Sequence, residues 1–155
     1  ESFAFSSVDY SLDLTDTRKV EELFNQIKPK LVFHCAGLTS LDVCETDPNA
    51  AFKVHVTATE NIAKSLTEVS RLVYISTDQV YGEAEDHSEE IEDLQPLNQY
   101  GKTKLVGERM VRQYHANHII VRTNLIGWNR RWTSWRSTCW RRAWRHRICG
   151  RSQWP

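Results

Sequence analysis

The sequence predicts an α/β protein built on a doubly wound parallel sheet, and three observations carry that reading. Short apolar, β-branched runs alternate along the chain with amphipathic segments of helical length. The runs LVFHC and RLVYI are almost continuously apolar, as expected of strands covered on both faces, rather than alternating as a one-sided sheet would. The segments between the runs are long enough for the crossovers that parallel strands need, so the units read as βαβ with helices on both faces.

In chain order, Ser7–Leu12 reads as a strand and Asp16–Ile27 as a helix, with Asp16 as its cap and Val20, Leu23, Phe24 and Ile27 at helical spacing. Pro29 ends that helix. Leu31–Cys35 is a short buried strand followed by the turn Ala36-Gly37, and Cys35 is expected to be a buried core thiol. Pro48–Thr67 forms one helix with Ala51, Val54, Ala58, Ile62 and Leu66 on a single stripe. Arg71–Ile75 is the next strand, and a polar loop runs from Asp78 to Asn98. Gln99–His115 is a helix and Ile119–Arg122 a strand. The acidic stretch Asp86 to Asp93 reads as a solvated loop rather than a cation site.

The formal net charge of zero hides an asymmetry. All 20 acidic residues lie at or before Glu108, against twelve of the 20 basic ones before Arg130, so residues 1–129 carry a net −8 and the remainder +8. From Arg130 onward the chain holds five of the six tryptophans and eight arginines, with no leucine, valine or phenylalanine. Enrichment in Trp, Arg, Ser, Cys and Gly is what GC-rich DNA encodes in a shifted frame. Residues 1–129 are therefore expected to form the domain, and 130–155 a non-native, disordered tail. The alternative is a basic aromatic arm that stacks on bases or lies on a membrane surface. The tryptophans follow no period, which favours the first reading and argues against nucleic-acid or membrane partners.

The four cysteines form no CxxC pair and no metal-ligand spacing, which suits a reducing cytoplasm. No metal site is expected: His115 and His118 are three apart without an evident third ligand and read as solvated surface residues. No stretch approaches the roughly 20 apolar residues of a membrane span. The N-terminus shows no signal-peptide pattern and no initiator Met, so the chain is expected to begin partway through a longer one.

The chemistry is carried by three side chains. The strand RLVYI runs into Ser76-Thr77-Asp78, and Tyr100-Gly101-Lys102-Thr103-Lys104 opens the following helix. Tyr100 and Lys104 are four apart and share a helical face. Thr77 sits at the C-terminal end of a parallel strand, where such sheets present their ligand crevice. A free tyrosine ionises near about pH 10, and a neighbouring ammonium is expected to pull that value down towards the working range. Thr77 could then hydrogen-bond a reacting carbonyl oxygen while Tyr100 exchanges its proton. A Tyr-x-x-x-Lys pair by itself is common on helix surfaces; its order after these strands is the specific part.

The strings STDQVYG, PLNQYGKTKLVGE and HCAGLTSLDVCETDPNAAFKVHVTATENIA closely resemble the extended short-chain dehydrogenases, and within them the dTDP-4-dehydrorhamnose reductase branch, over about residues 8–129. The resemblance implies a Rossmann fold, NAD(P)H, a nucleotide-linked keto-sugar substrate and a role in dTDP-rhamnose biosynthesis. It assigns Thr77 as the catalytic hydroxyl, Tyr100 as proton donor and Lys104 as its partner, which also holds the nicotinamide ribose. It places Asp13 and Leu14 at the adenine, and Cys35, Ala36 and Gly37 along the cofactor. Asp78, Arg122 and Asn124 fall at the sugar site; Asp13 read without the resemblance is a turn acid, and Arg122 a structural ion-pair partner. A homodimer is compatible with the resemblance.

Departures from the family pattern are equally informative. No Gly-x-x-Gly-x-x-Gly occurs among the six glycines, so the phosphate-binding loop that gives the pyrophosphate its backbone N–H groups is missing from this sequence. The fold is thus expected to be partial, lacking the N-terminal βαβ phosphate-binding unit and the C-terminal substrate domain, and the chain alone is expected to be inactive. His55 stands where related sequences often carry asparagine. Two further functions share the same residues: epimerisation or dehydration of a nucleotide sugar, and a non-catalytic regulatory subunit of methionine adenosyltransferase. Gln79 after Asp78, where dehydratases commonly add a second acid, argues mildly against dehydration.

Overall fold

A computed structural model describes residues 10–82 and 94–124. Within them the order is α1 (Thr17–Ile27), β1 (Leu31–His34), α2 (Leu41–Thr46), α3 (Pro48–Phe52), a π turn (Lys53–Thr57), α4 (Ala58–Ser65), β2 (Arg71–Thr77), a short 3-10 turn (Asp78–Tyr81), α5 (Gln99–Tyr114) and β3 (His118–Thr123). The three strands form a parallel sheet in the order β1-β2-β3, with Phe33 opposite Val73 and Val73 opposite Ile119. The predicted α/β class and parallel pairing are therefore present. The expected strand at Ser7–Leu12 falls partly outside the described residues, and Tyr10–Leu12 pair with no strand.

Each helix start has a local cause. Asp16 caps α1 by accepting from Lys19 N–H at 3.3 Å, as its position in the sequence predicts, and Lys28 closes the helix in the left-handed region at φ 43°. Asp47 caps α3 through Ala50 N–H at 2.9 Å, with Pro48 at the first helical position, where its missing N–H costs nothing. Asn98 caps α5 through Gly101 N–H at 2.7 Å.

The expected continuous helix over Pro48–Thr67 is broken by the π turn. A π turn takes in an extra residue, which shifts the buried stripe. Val54, placed on that stripe by helical spacing, is only half-buried, while His55 and Val56 turn inward. The α2 helix, six residues capped by Ser40, is too short to announce itself by periodicity.

The core lies between one face of the sheet and the helices. Val20 of α1, Ile62 and Ala63 of α4, and Val111 of α5 pack on Leu72 and Tyr74 of β2. On this side Gly107 of α5 lets two helices meet closely: a Cβ there would lie 2.7 Å from the carbonyl oxygen of His55 and would also strike the Tyr74 hydroxyl. The opposite sheet face is bare among the described residues. Leu31, Phe33, Ile119 and Val121 are exposed, so the two-sided burial expected of LVFHC is not met there. Cys35 follows the last ladder residue and is exposed, contrary to the expected core thiol; Cys44 is the buried one.

His115 and His118 also depart from expectation. His115 is buried, its Nε2 2.9 Å from the Ser70 carbonyl oxygen, and His118 Nδ1 contacts the His115 carbonyl. His115 ties the end of α5 to the residue before β2, and the half-buried His118 bonds back to the end of α5. No group of His, Cys, Asp and Glu that could hold a metal occurs among the described residues, and no described helix is long and apolar enough to cross a membrane. The acidic loop at 86–93 and the tail from Arg130 lie outside the described residues.

Candidate active site

The site gathers at the C-terminal end of β2. Thr77, buried, ends the strand; its Oγ1 accepts from Gln79 N–H at 3.3 Å and donates to Asp78 Oδ1 at 3.2 Å. Helix α5 enters directly against this turn. Gly101 makes that approach feasible, since a Cβ there would stand 2.7 Å from the Gln79 carbonyl oxygen. Asn98 Nδ2 adds a bond to Gln79 Oε1 at 2.5 Å. The result is that the half-buried Tyr100 comes close enough to Thr77 for the threonine side chain to bear on its ionisation. Two residues 23 positions apart in sequence thus meet where the strand ends.

Electrostatics at Tyr100 differ from the expected picture. Burial raises its pKa; the neighbouring Thr77 side chain pulls it back, and Cys44 and Asp78 add to the rise, leaving it above the usual tyrosine value. Lys104 does not acidify it. The ammonium is buried and donates to the Ile75 carbonyl oxygen at 2.6 Å, with its Nζ 4.1 Å from the centre of the Tyr74 ring. A shared helical face set by i,i+4 spacing was insufficient, because the long lysine stem reaches past its neighbour to a carbonyl on the strand beneath. Burial lowers the Lys104 pKa to about 8, opposed by Glu108. Lys104 forms no ion pair among the described residues.

Beneath the site lies a second cluster that the sequence did not disclose. Glu108, fully buried, receives Arg122 through Nε at 3.0 Å and Nη2 at 2.8 Å, and accepts from Ser76 Oγ at 2.5 Å. Arg122 also contacts the Tyr81 hydroxyl at 3.3 Å and stacks over its ring at 5.1 Å. The ion-pair reading of Arg122 is thus the one the structure displays. Asn124, exposed, donates to Asp78 Oδ2 at 2.9 Å, which joins two of the residues assigned to the sugar. A glutamate on a helix ordinarily reads as solvated; only the three-dimensional neighbours Ser76 and Arg122 reveal this one.

The cofactor-side residues divide into two groups. Cys35, Ala36 and Gly37 form an exposed ledge after β1, and a Cβ on Gly37 would lie 3.5 Å from His55 Nε2. Asp13 and Leu14 are not joined to Thr77, Tyr100 or Lys104. Asp13 Oδ1 accepts from Thr15 N–H at 2.9 Å and from its hydroxyl at 2.8 Å, the turn-acid arrangement, while the Leu14 carbonyl accepts from Asn61 Nδ2 at 3.0 Å. A cleft of about 430 Å³ along β3, lined by Tyr81, Arg112, His118, Ile120 and Arg122, includes neither Tyr100 nor Lys104.

Comparison with known proteins agrees with this architecture. Residues 2–145 match the RmlD substrate binding domain family, a match that runs past residue 129 into the Arg/Trp-rich stretch. The chain is 35% identical over 127 residues to dTDP-4-dehydrorhamnose reductase of Escherichia coli (strain K12), covering 81% of this chain and 42% of that protein. It is 38% identical over 116 residues to methionine adenosyltransferase 2 subunit beta of Xenopus laevis, covering 74% and 35% respectively. The crystal structure of the Bacillus anthracis reductase in complex with NADP superposes with a TM-score of 0.66 at 34% identity, over 72% of this chain and 40% of that one. The chain therefore spans under half the length of these relatives, and it belongs to the RmlD substrate-binding-domain family, on a Rossmann-like α/β fold.

Proposed function

We propose that this chain carries the proton-donating centre of an NAD(P)H-dependent reductase that acts on the 4-keto group of a nucleotide-linked deoxysugar. The observation that carries the reading is that the first turn of α5, with Tyr100, packs against the Thr77–Gln79 turn at the C-terminal end of β2, with the buried ammonium of Lys104 on the carbonyl of Ile75 in the same strand. Two hydroxyls side by side can both reach one carbonyl oxygen. Its raised pKa keeps Tyr100 protonated at neutral pH, the form that gives a proton during reduction. Thr77 would hold the same oxygen, and Asp78 with Asn124 would offer polar contacts to the sugar beside it.

The residues present fit the nicotinamide-ribose end of a dinucleotide. Among the described residues Lys104 is a buried cation satisfied by a carbonyl and an aromatic ring, and Cys35–Gly37 provide an exposed ledge of small residues. Lys104 would hold the ribose hydroxyls and Tyr100 would border the ring; bound there, the dinucleotide supplies hydride. A phosphate-binding glycine cluster is absent from the sequence, so nothing in this chain is assigned to the pyrophosphate.

The test uses a protein of the relatives' full length carrying this sequence. NADPH and NADH absorbance are followed with a dTDP-4-keto-deoxysugar. Tyr100→Phe is expected to cut kcat by about 10²–10⁴-fold while leaving dinucleotide affinity within about twofold. Unchanged turnover in Tyr100→Phe would remove the assignment. The second reading, a non-catalytic partner of methionine adenosyltransferase, is favoured by the 38% identity to the Xenopus laevis subunit. It predicts dinucleotide binding without oxidation on any keto-sugar.

A further inference from the structure

Among the buried titratable groups the mechanism does not use, His55 has the most telling partners. It is 1% exposed and sits within the π turn between α3 and α4. Its Nε2 accepts from the Leu38 backbone N–H at 2.9 Å, and its Nδ1 lies 2.8 Å from Thr103 Oγ1. The ring stands edge-on to Tyr100, with centroids 5.4 Å apart and planes at 78°. One imidazole therefore spans from the loop after the Cys35–Gly37 ledge to the first turn of α5.

The hydrogen-bond inventory fixes its protonation. A backbone N–H can only donate, so Nε2 must present a lone pair to Leu38. The single hydrogen of the Thr103 hydroxyl is directed at the Gln99 carbonyl oxygen 2.8 Å away, with that of Tyr100 at 3.1 Å. Thr103 Oγ1 is then left to accept, so Nδ1 must carry the hydrogen. Both partners demand the same neutral tautomer, and a second proton would place N–H against N–H at Leu38. The surrounding charges act the same way: burial first, then the Lys104 ammonium, hold His55 down to about 4. The other titratable groups packed close by are His34 of β1, itself held to about 4, and the Tyr100 phenol.

We infer that His55 is a positioning residue that, as the neutral Nδ1–H imidazole, clamps the Leu38 loop to Thr103 and so sets the gap between the cofactor ledge and the Tyr100 ring. This rests on the reductase reading for the meaning of the gap but not for the existence of the clamp. The clamp has a direction as well as a length. The hydrogen of each donor points along one chain, Leu38 N–H to Nε2 and Nδ1–H to Thr103 to the backbone carbonyls of α5, so each bond polarises the next. A side chain that merely filled the space would leave the Leu38 amide and the Thr103 hydroxyl without their partners.

The test reads the clamp without turnover, on the full chain. In ¹⁵N-histidine spectra, His55 is expected to show a protonated Nδ1 and an unprotonated Nε2 from about pH 5 to about pH 8. An Nε2–H tautomer, or titration near the ordinary histidine value, would overturn the inference. His55→Phe keeps an aromatic ring and removes both bonds, so the Leu38 amide should exchange about tenfold faster and the Tyr100 phenol titration should move. Should that variant not fold, Thr103→Val removes the acceptor of Nδ1–H, together with the hydroxyl's bonds to the α5 carbonyls, while leaving His55 in place, and should still move the Tyr100 titration. Leu38 exchange and Tyr100 titration unchanged in the variants that fold would also overturn it. His55→Gln, which offers an acceptor and a donor, should restore Leu38 protection at least in part, as a volume effect would not. Because none of these readouts needs substrate, the clamp and the reductase reading can fail separately.

Discussion

Arg122 and Lys104 are both cations at the same end of the sheet, yet they are treated in opposite ways. Arg122 meets the buried Glu108 carboxylate with two of its nitrogens, and that pairing raises its pKa beyond the usual arginine range. Lys104, one turn before Glu108 on the same helix, has a carbonyl and a ring face but no carboxylate partner among the described residues, and burial drives it down to about 8. A charge that is already paired offers little to a ligand. A charge held out of water and only half compensated gains most from a new polar partner. The difference divides this end of the sheet into a foundation, where Glu108 and Arg122 join α5 to β3, and a less compensated part, where Lys104 rests on the Ile75 carbonyl and the Tyr74 ring.

Glu108→Gln breaks the paired side of this contrast and should have the largest effect. It leaves Arg122 without its counter-charge and is expected to cost about 3–5 kcal/mol, read from urea unfolding at neutral pH. A loss below about 1 kcal/mol would mean that the pair is solvated. Acid probes the groups lying under the Lys104 charge. His34 and His55 are held at about 4 in the fold, below the ordinary 6.5, so the unfolded chain takes up more protons in between. Stability is then fully present above about pH 6.5 and is lost as pH falls towards 4. His34 should account for about 2 kcal/mol at pH 4.5, a loss that His34→Gln removes.

Lys104→Met tests the unpaired side, and its sign is opposite. Removing a buried, partly compensated charge while keeping its volume should stabilise the chain by about 1–2 kcal/mol at neutral pH, while abolishing dinucleotide-dependent turnover. The native protein should also gain stability as pH rises from about 8 to 10.5, because the unfolded lysine retains its proton in that window and the folded one does not; the variant should not. A destabilised Lys104→Met would contradict the contrast. Arg18 and Glu22, 3.5 Å apart but largely in solvent, supply the baseline: Arg18→Ala should shift stability by less than about 0.5 kcal/mol.

The fold was legible where burial and period coincide. RLVYI, LVFH and the helix from Gln99 read correctly because their apolar residues or capping positions leave few alternatives, and Asp16 announced its own helix. What escaped depended on neighbours distant in sequence. The π turn at Lys53–Thr57 leaves no compositional trace, and it decides that His55 rather than Val54 faces inward. The partners of Glu108 come from two different strands, so helical spacing could not reveal them. At the site, the sequence put Thr77 at a strand end and Tyr100 and Lys104 in the opening turns of a helix, and those are their places on β2 and α5. Helical spacing did not foretell that the lysine would turn to the Ile75 carbonyl, because spacing fixes the root of a side chain and not its tip. The exposure of Cys35 has a similar origin: an apolar run suggests burial, but the last rung of the ladder is His34.

The bare backbone at Gly107 bears on how this architecture can vary. The helix that presents Tyr100 and Lys104 approaches the His55 carbonyl so closely that one added carbon would collide with it. The width of the cleft is accordingly gauged by an atom that is not there. A methyl group at that point would act as a shim, tilting α5 and moving every functional group along it together. Libraries that vary α5 should therefore find position 107 admitting almost no side chain, while the exposed Asn124 varies freely.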